Sequence, residues 1–216
     1  MLDLVHREPP SFGRRSFRSA SVKELLLPAI RLFAVLTLLT GIVYPLLVTG
    51  VGRLLFPLQA HGSLVNRDGA PRGSALLAQK FTDARYFWPR PSAADFATVP
   101  SGASNLGPGS KLLQTAIAER RSKLGARAPD DLLTSSGSGL DPHLSPEAAM
   151  FEADRVAAAR GIPVAQIRSL VDANTEPPQF GLLGEPRVNV LRLNLALDRA
   201  NDRPRSPDML ASPSDR

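Results

Sequence analysis

The chain of 216 residues contains no cysteine. A disulfide framework and a thiolate metal site are therefore both excluded. Histidine is also scarce: there are three, and His143, with Asp141 just before it, has no second histidine nearby in sequence. A zinc site takes three or four protein ligands, so no metal centre and no covalently bound cofactor is expected. The net charge of +6 and the pI near 10.4 invite a nucleic-acid reading. In the C-terminal three-quarters of the chain, however, the basic residues do not cluster beyond Glu119-Arg120-Arg121, which reads as a solvated helix face. No nucleic-acid partner is expected.

The most informative absence is of charge. Leu32 to Val51, LFAVLTLLTGIVYPLLVTGV, holds no charged residue and is bracketed by Arg31 and Arg53. A spanning helix needs about 20 apolar residues, because roughly 30 Å of hydrocarbon is crossed at 1.5 Å per residue. A helix satisfies its own backbone in lipid. Gly41 and Pro45 weaken a soluble helix, but a transmembrane helix tolerates them. Tyr44 carries a hydroxyl in the middle of the run and is expected to face a protein neighbour, as are Gly41, Pro45 and Gly50. Two plainer readings compete: a buried core helix, and a signal peptide cleaved near Leu58-Gln59-Ala60. The apolar run exceeds the roughly 7–15 residues of a signal-peptide core, so a retained membrane helix is preferred, over residues 25–57. Arg14, Arg15, Arg18, Lys23 and Arg31 precede the apolar run, whereas Arg53 and then Arg67 follow it. The positive-inside rule keeps the N-terminus in the cytoplasm and places the rest of the chain outside it. The basic residues also suit anionic membrane lipid.

Residues 1–24 read as a disordered basic arm and 200–216 as a disordered tail. What remains, 58–199, is long enough to bury a core and reads as one mixed α/β extracytoplasmic domain of α+β class. Pro28 is expected near the first turn of the membrane helix. Asn66-Arg67-Asp68-Gly69 is a hairpin turn between strands Leu64-Val65 and Ala75–Gln79. Ala84–Trp88 reads as a strand stopped by Pro89. Ser110–Leu124 reads as a helix with an apolar stripe of Leu112, Leu113, Ala116 and Ile117, ending at Gly125. Asp131–Thr134 reads as a short strand. Ser145-Pro146-Glu147 is a helix start, with the helix running to Arg160 and Gly161. A second helix begins near Pro163 with Val164, Ile167, Leu170 and Val171, and Asn174–Pro178 breaks it. Arg187–Asp198 carries both periods: Val188, Val190 and Leu193 argue strand, while Val190, Leu193 and Leu197, with Leu191 and Leu195, argue helix. Helix is preferred.

Asp141, His143 and Ser145 suggest a hydrolase, but nucleophile, base and orienting acid must meet in space. The simpler reading is a turn at Asp141 and a helix cap at Ser145. Ser101-Gly102-Ala103-Ser104-Asn105 and Ser136-Gly137-Ser138-Gly139 are loose Gly-Ser loops that lack the lysine of a P-loop. Arg90, after Phe87-Trp88-Pro89, either binds an acid or caps an aromatic cluster. No complete active site emerges.

Taken together, GIVYPLLVTG (Gly41–Gly50), GSL (Gly62–Leu64), RGSALLAQKF (Arg72–Phe81), YFWPRPSA (Tyr86–Ala93), SGASNLGP (Ser101–Pro108), DLLTSSGSGLDPHLSP (Asp131–Pro146), RVAAARG (Arg155–Gly161) and GEPRVNVLRLNLAL (Gly184–Leu197) resemble the C subunit of the bacterial Kdp-type potassium-transporting ATPase. The resemblance covers roughly residues 30 to 199, with departures at Ala78, Ala103 and Asn174. It implies an inner-membrane complex in which a potassium-channel-like subunit selects the ion and a P-type ATPase subunit hydrolyses ATP. ATP and potassium are then implied for the complex. The C subunit is implied to be non-catalytic, to stabilise assembly, and to act as a catalytic chaperone that raises ATP affinity. The orientation argued above puts the domain in the periplasm, away from ATP, so such an effect would pass through the membrane as a coupled equilibrium. Ser101, Gly102, Ser104 and Asn105, with Ser136, Gly137, Ser138, Gly139 and Asp141, are the candidate nucleotide or subunit contacts. A membrane-anchored periplasmic hydrolase and an ion-gating module are the alternatives.

Overall fold

The structure is a computed structural model and describes residues 21–202. The expected basic arm, up to residue 20, and the tail beyond 202 lie outside the described residues. The chain divides into two units between Pro57 and Leu58.

The first unit is one continuous apolar helix, Val22–Leu55. It comprises α1 (Val22–Leu38), a π-helical turn (Leu39–Val43) and α2 (Tyr44–Leu55). At its start the Glu24 carboxylate accepts the Ser21 backbone N–H at 3.0 Å, one side of a capping box. The helix begins earlier than the apolar run indicates, so Pro28 lies inside it rather than in its first turn. The π turn sits where Pro45 requires it. Proline has no N–H, and its ring collides with the carbonyl four residues back, here that of Gly41. Widening the turn relieves the collision, and the Tyr44 N–H reaches the Leu39 carbonyl instead. None of the three segments buries a residue.

The second unit is α+β. After a short helix, α3 (Pro57–Ala60), the strands β1 (Leu64–Arg67) and β2 (Ala70–Ser74) form an antiparallel hairpin with an irregularity between Val65 and Asn66. The Asp68-Gly69 turn is where the sequence places it, but β2 precedes the expected strand at Ala75–Gln79. Pro71 and Gly73 disguise β2; a proline is tolerated on an edge strand. Helix α4 (Lys111–Leu124) forms as expected and ends at Gly125. Leu112 points away from the fold, 71% exposed, while Arg120 turns inward and donates to the Leu133 carbonyl at 2.6 Å.

Asp130–Leu133 is a helical turn, α5, rather than a strand. Pro129 leads into it, and two aspartates stand in its first turn, the arrangement a helix dipole favours. β3 (His143–Leu144), β4 (Thr175–Glu176) and β5 (Arg187–Asn189) make an antiparallel sheet in the order β3-β5-β4. Helices α6 (Pro146–Arg160), α7 (Val164–Ala173) and α8 (Val190–Asp202) pack with it. Both periods in the last element are real: three residues are strand and the helix starts at Val190. The change falls at Asn189, whose Oδ1 accepts the Arg192 N–H at 3.1 Å while its Nδ2 donates to the Ala75 carbonyl at 2.8 Å. The core joins Ala149, Ala153 and Val156 of α6, Ile167 and Val171 of α7, and Val190, Leu193 and Leu197 of α8.

Phe87 lies fully buried in that core, yet Ala84–Trp88 is not a strand. Its backbone bonds to side chains instead. The Phe87 N–H donates to Asn194 Oδ1 at 2.9 Å, and Asn194 Nδ2 donates to the Phe87 carbonyl at 3.0 Å. The Trp88 N–H donates to Glu152 Oε2 at 2.8 Å. Arg155 donates to the carbonyls of Ala84 and Tyr86 and to Glu152 Oε1, and its guanidinium stacks 4.0 Å from the Trp88 ring centroid. Burial pushes the Glu152 carboxyl above its ordinary value, against the pull of Arg155 and of the Trp88 N–H.

Asn194→Ala strands both polar groups of Phe87. Each orphaned group costs about 1–3 kcal/mol, so a loss of about 3 kcal/mol is expected. It reads out as a lower urea midpoint for the detergent-solubilised full-length chain, with an unchanged slope.

Candidate functional site

The two Gly-Ser loops, distant in sequence, meet. Gly139 is buried at φ +73°, and a Cβ there would lie 2.8 Å from the Gly102 carbonyl oxygen and 3.3 Å from Ser92 Oγ. Glycine is required here twice over, by the left-handed backbone and by the close approach. The loop after α5 is fastened from within. The Ser136 N–H donates to the Pro91 carbonyl at 3.0 Å, the Gly139 N–H to the Ser136 carbonyl at 3.2 Å, and the Leu140 N–H to Ser138 Oγ at 3.1 Å. Ser136 is buried, while Gly137 and Ser138 are exposed. On the facing loop Ser101, Ser104 and Asn105 are exposed and Gly102 is half-buried.

Arg90 stands behind this pair of loops and binds acids, one of its two expected roles. Its Nη1 lies 3.4 Å from Asp141 Oδ2, its Nε 3.8 Å from Asp131 Oδ1, and its Nη2 3.4 Å from Thr134 Oγ1. Asp141 Oδ1 accepts the His143 N–H at 3.0 Å across a tight turn, and the imidazole Nδ1 sits 3.6 Å away. Burial pushes the Asp141 carboxyl up, but His143 and Arg90 outweigh it and hold the group below its ordinary 3.8. Ser145 Oγ accepts the Ala148 N–H at 3.2 Å, and the Ser145 N–H donates to Asp131 Oδ2 at 2.8 Å. Asp141, His143 and Ser145 are thus a turn, a strand residue and a helix cap, not an assembled hydrolytic triad. No group of three or more His, Cys, Asp or Glu among the described residues is placed to hold a metal ion.

The remaining candidates, Gly41, Tyr44, Pro45 and Gly50, lie on the exposed apolar helix. Nothing approaches within 4 Å of a Cβ built at Gly41 or Gly50. Sequence reasoning missed a second charged centre. Asp198 of α8 accepts Arg67 Nη1 at 2.8 Å, Arg160 Nη2 at 2.9 Å and the Tyr86 hydroxyl at 3.3 Å. It borders a cleft of about 400 Å³ that Arg72, Gln79, Phe81 and Leu195 also line. Helical spacing alone marks Asp198 as the solvated end of an apolar stripe, so nothing local reveals its partners.

Among the described residues these are the features of a single-pass membrane protein: one apolar helix with nothing buried, followed by an α+β domain in which Arg90, Arg155 and Arg160 each face an acid. Residues 26–199 match the family described as the K+-transporting ATPase, c chain, and the chain belongs to that family. It is 54% identical over 187 residues to the potassium-transporting ATPase KdpC subunit of Polaromonas naphthalenivorans, covering 82% of this chain and 95% of that protein. The subunit of the same name from Pseudomonas savastanoi is 49% identical over 193 residues, 87% of this chain and 100% of the relative. The one from Gemmatimonas aurantiaca is 52% identical over 182 residues, 80% and 92% respectively.

Two outcomes are expected. Gly139→Ala meets both strain and the Gly102 carbonyl and costs about 3 kcal/mol, whereas Gly161→Ala, at φ +65° with open space around it, costs about 1 kcal/mol. Thermal melts of the two variants would separate them. Because Asp141 is held below 3.8, the unfolded chain binds its proton first as the pH falls, and this group's share of stability is lost below that value. Asp141→Asn keeps the acceptor for His143 and should flatten stability against pH in that window, measured as Tm between pH 5 and pH 2.5.

Proposed function

We propose that this chain is the non-catalytic subunit of an ATP-driven potassium-uptake complex in the bacterial inner membrane. Its partners are a potassium-channel-like subunit and a P-type ATPase catalytic subunit. Family membership supports this. The observation that carries the reading is the helix itself. Between Arg31 and Arg53 the helix Val22–Leu55 carries no charge, and no residue of it is buried within the described residues, so lipid and partner helices are its natural cover. The small residues Gly41 and Gly50, the hydroxyl of Tyr44 and the turn that precedes Pro45 suit close helix–helix packing.

The basic residues before the helix set the orientation, with the N-terminus in the cytoplasm and the α+β domain in the periplasm. The paired Gly-Ser loops serve as a subunit contact rather than a phosphate cradle. Their amides at Ser136, Gly139 and Leu140 already donate within the protein, and Arg90 is matched by Asp131 and Asp141. What Ser101, Gly102, Gly137 and Ser138 offer is a low, uncharged surface that a partner backbone approaches closely. Any rise in ATP affinity then arises from a conformational equilibrium shared with the catalytic subunit.

A tagged chain purified from membranes of potassium-limited cells should bring down both partners together with potassium-stimulated ATPase activity. Stripping it from the complex should weaken ATP binding about 5- to 150-fold, the usual span of coupling energies. Recovery of the chain alone, monodisperse and without ATPase, would refute the reading.

A further inference from the structure

Between β4 and β5 the chain makes a ten-residue excursion, residues 177–186, reading PPQFGLLGEP. Its tip exposes three large apolar side chains in four residues: Phe180 at 84%, Leu182 at 86% and Leu183 at 61%. Exposure alone is common on protein surfaces, but this tip is also built. Gln179 and Leu183 form an antiparallel bridge, with the Gln179 N–H donating to the Leu183 carbonyl at 2.8 Å and the Leu183 N–H returning to the Gln179 carbonyl at 2.9 Å. The Gly181 N–H donates to the Pro178 carbonyl at 3.0 Å. Below, Glu176 ties the stem by ion pairs to Arg187 at 3.1 Å and Arg192 at 2.9 Å, and Val188 of the stem is fully buried.

Phe180 itself sits at φ +56°, a conformation that a bulky side chain adopts only against a steric cost. Strain held at a surface position, for a side chain that gains nothing there from burial, is of the kind that clusters at functional sites. The chemistry of the tip selects its occupant. Residues 177–186 contain one charge, Glu185, and no lysine or arginine, so an anionic lipid surface, which favours basic anchors, is a poor match. A second copy of this chain is a poor match too. A convex tip is not complementary to itself, and the described clefts of about 400 and 390 Å³ are lined with charged residues.

We propose that the Phe180-Gly181-Leu182-Leu183 tip is a preorganised plug that inserts into an apolar pocket on another protein subunit of the potassium-transporting complex, with a basic side chain at the pocket rim facing Glu185. This rests on the subunit reading above. Rigid apolar anchors of this kind carry much of an interface's affinity, and the preset loop conformation lowers the ordering cost of docking.

The test uses the assembled complex in native membranes. Leu182→p-benzoylphenylalanine, photolysed in cells grown on limiting potassium, is expected to crosslink this chain to another subunit of the ATPase. Phe180→Gly, which removes the anchor and is at ease at φ +56°, should leave the Tm of the full-length chain unchanged or higher. It should speed loss of the chain from the purified complex about 30-fold, the scale of truncating an anchoring aromatic. Leu112→Ser, at another exposed leucine, should change neither. A crosslink to lipid or to a second copy, or none while Phe180→Gly holds the complex as firmly as the parent, overturns the proposal and leaves the subunit reading standing. If the parent chain itself brings down no ATPase subunit, both fall.

Discussion

Between Ala84 and Trp88 the chain dips into the core at Phe87 without a strand beside it. Phe87 contributes a fully buried ring, and the peptide that carries it needs donors and acceptors in a place water does not reach. Asn194 supplies one of each, Glu152 an acceptor, and Arg155 donors to the neighbouring carbonyls. Three side chains on α6 and α8 thereby do what a neighbouring strand does elsewhere. Glu152 tolerates burial because the half-buried Arg155 completes it. Without Arg155 the buried carboxylate is left costly and unpaired. The spacing of α6 and α8 is tied to this peptide, and through it to the Tyr86 hydroxyl and the Asp198 carboxylate beyond.

The same economy of charge shapes the paired loops. Arg90 faces Asp131 and Asp141, and Asp131 in turn holds the start of α6 through the Ser145 amide. The loop surface is thus rigid and uncharged, set on a charged but balanced base.

Much of this was legible in the sequence, and what was not has a common cause. The apolar helix, the cap at Ser145, the Asp68-Gly69 turn and the glycines after α4 and α6 are local signals, and each appears where its chemistry requires. The misplaced elements depend on distant partners. Ala84–Trp88 has strand-forming residues, but Asn194 and Glu152, far along the chain, take the hydrogen bonds that would have gone to a neighbour. Asp130–Leu133 is too short to show a period, and the acids after Pro129 were the better guide. The double period at Arg187–Asp198 was two elements sharing a boundary, not a choice between them. The meeting of Gly102 with Gly139 could not be read at all, because loop sequence carries no register.

The π turn at Leu39–Val43 has an effect that reaches past the relief of a proline clash. It inserts about one residue relative to a regular α-helix, so every side chain beyond it is rotated by roughly 100° about the axis. A stripe that follows one face from Val22 to Leu38 does not continue on that face from Tyr44 to Leu55. Each half of the bilayer is therefore offered a different azimuth of the same rod. One helix can lean on one neighbour in the first leaflet and on another in the second, joining two bodies that need not touch each other along its length.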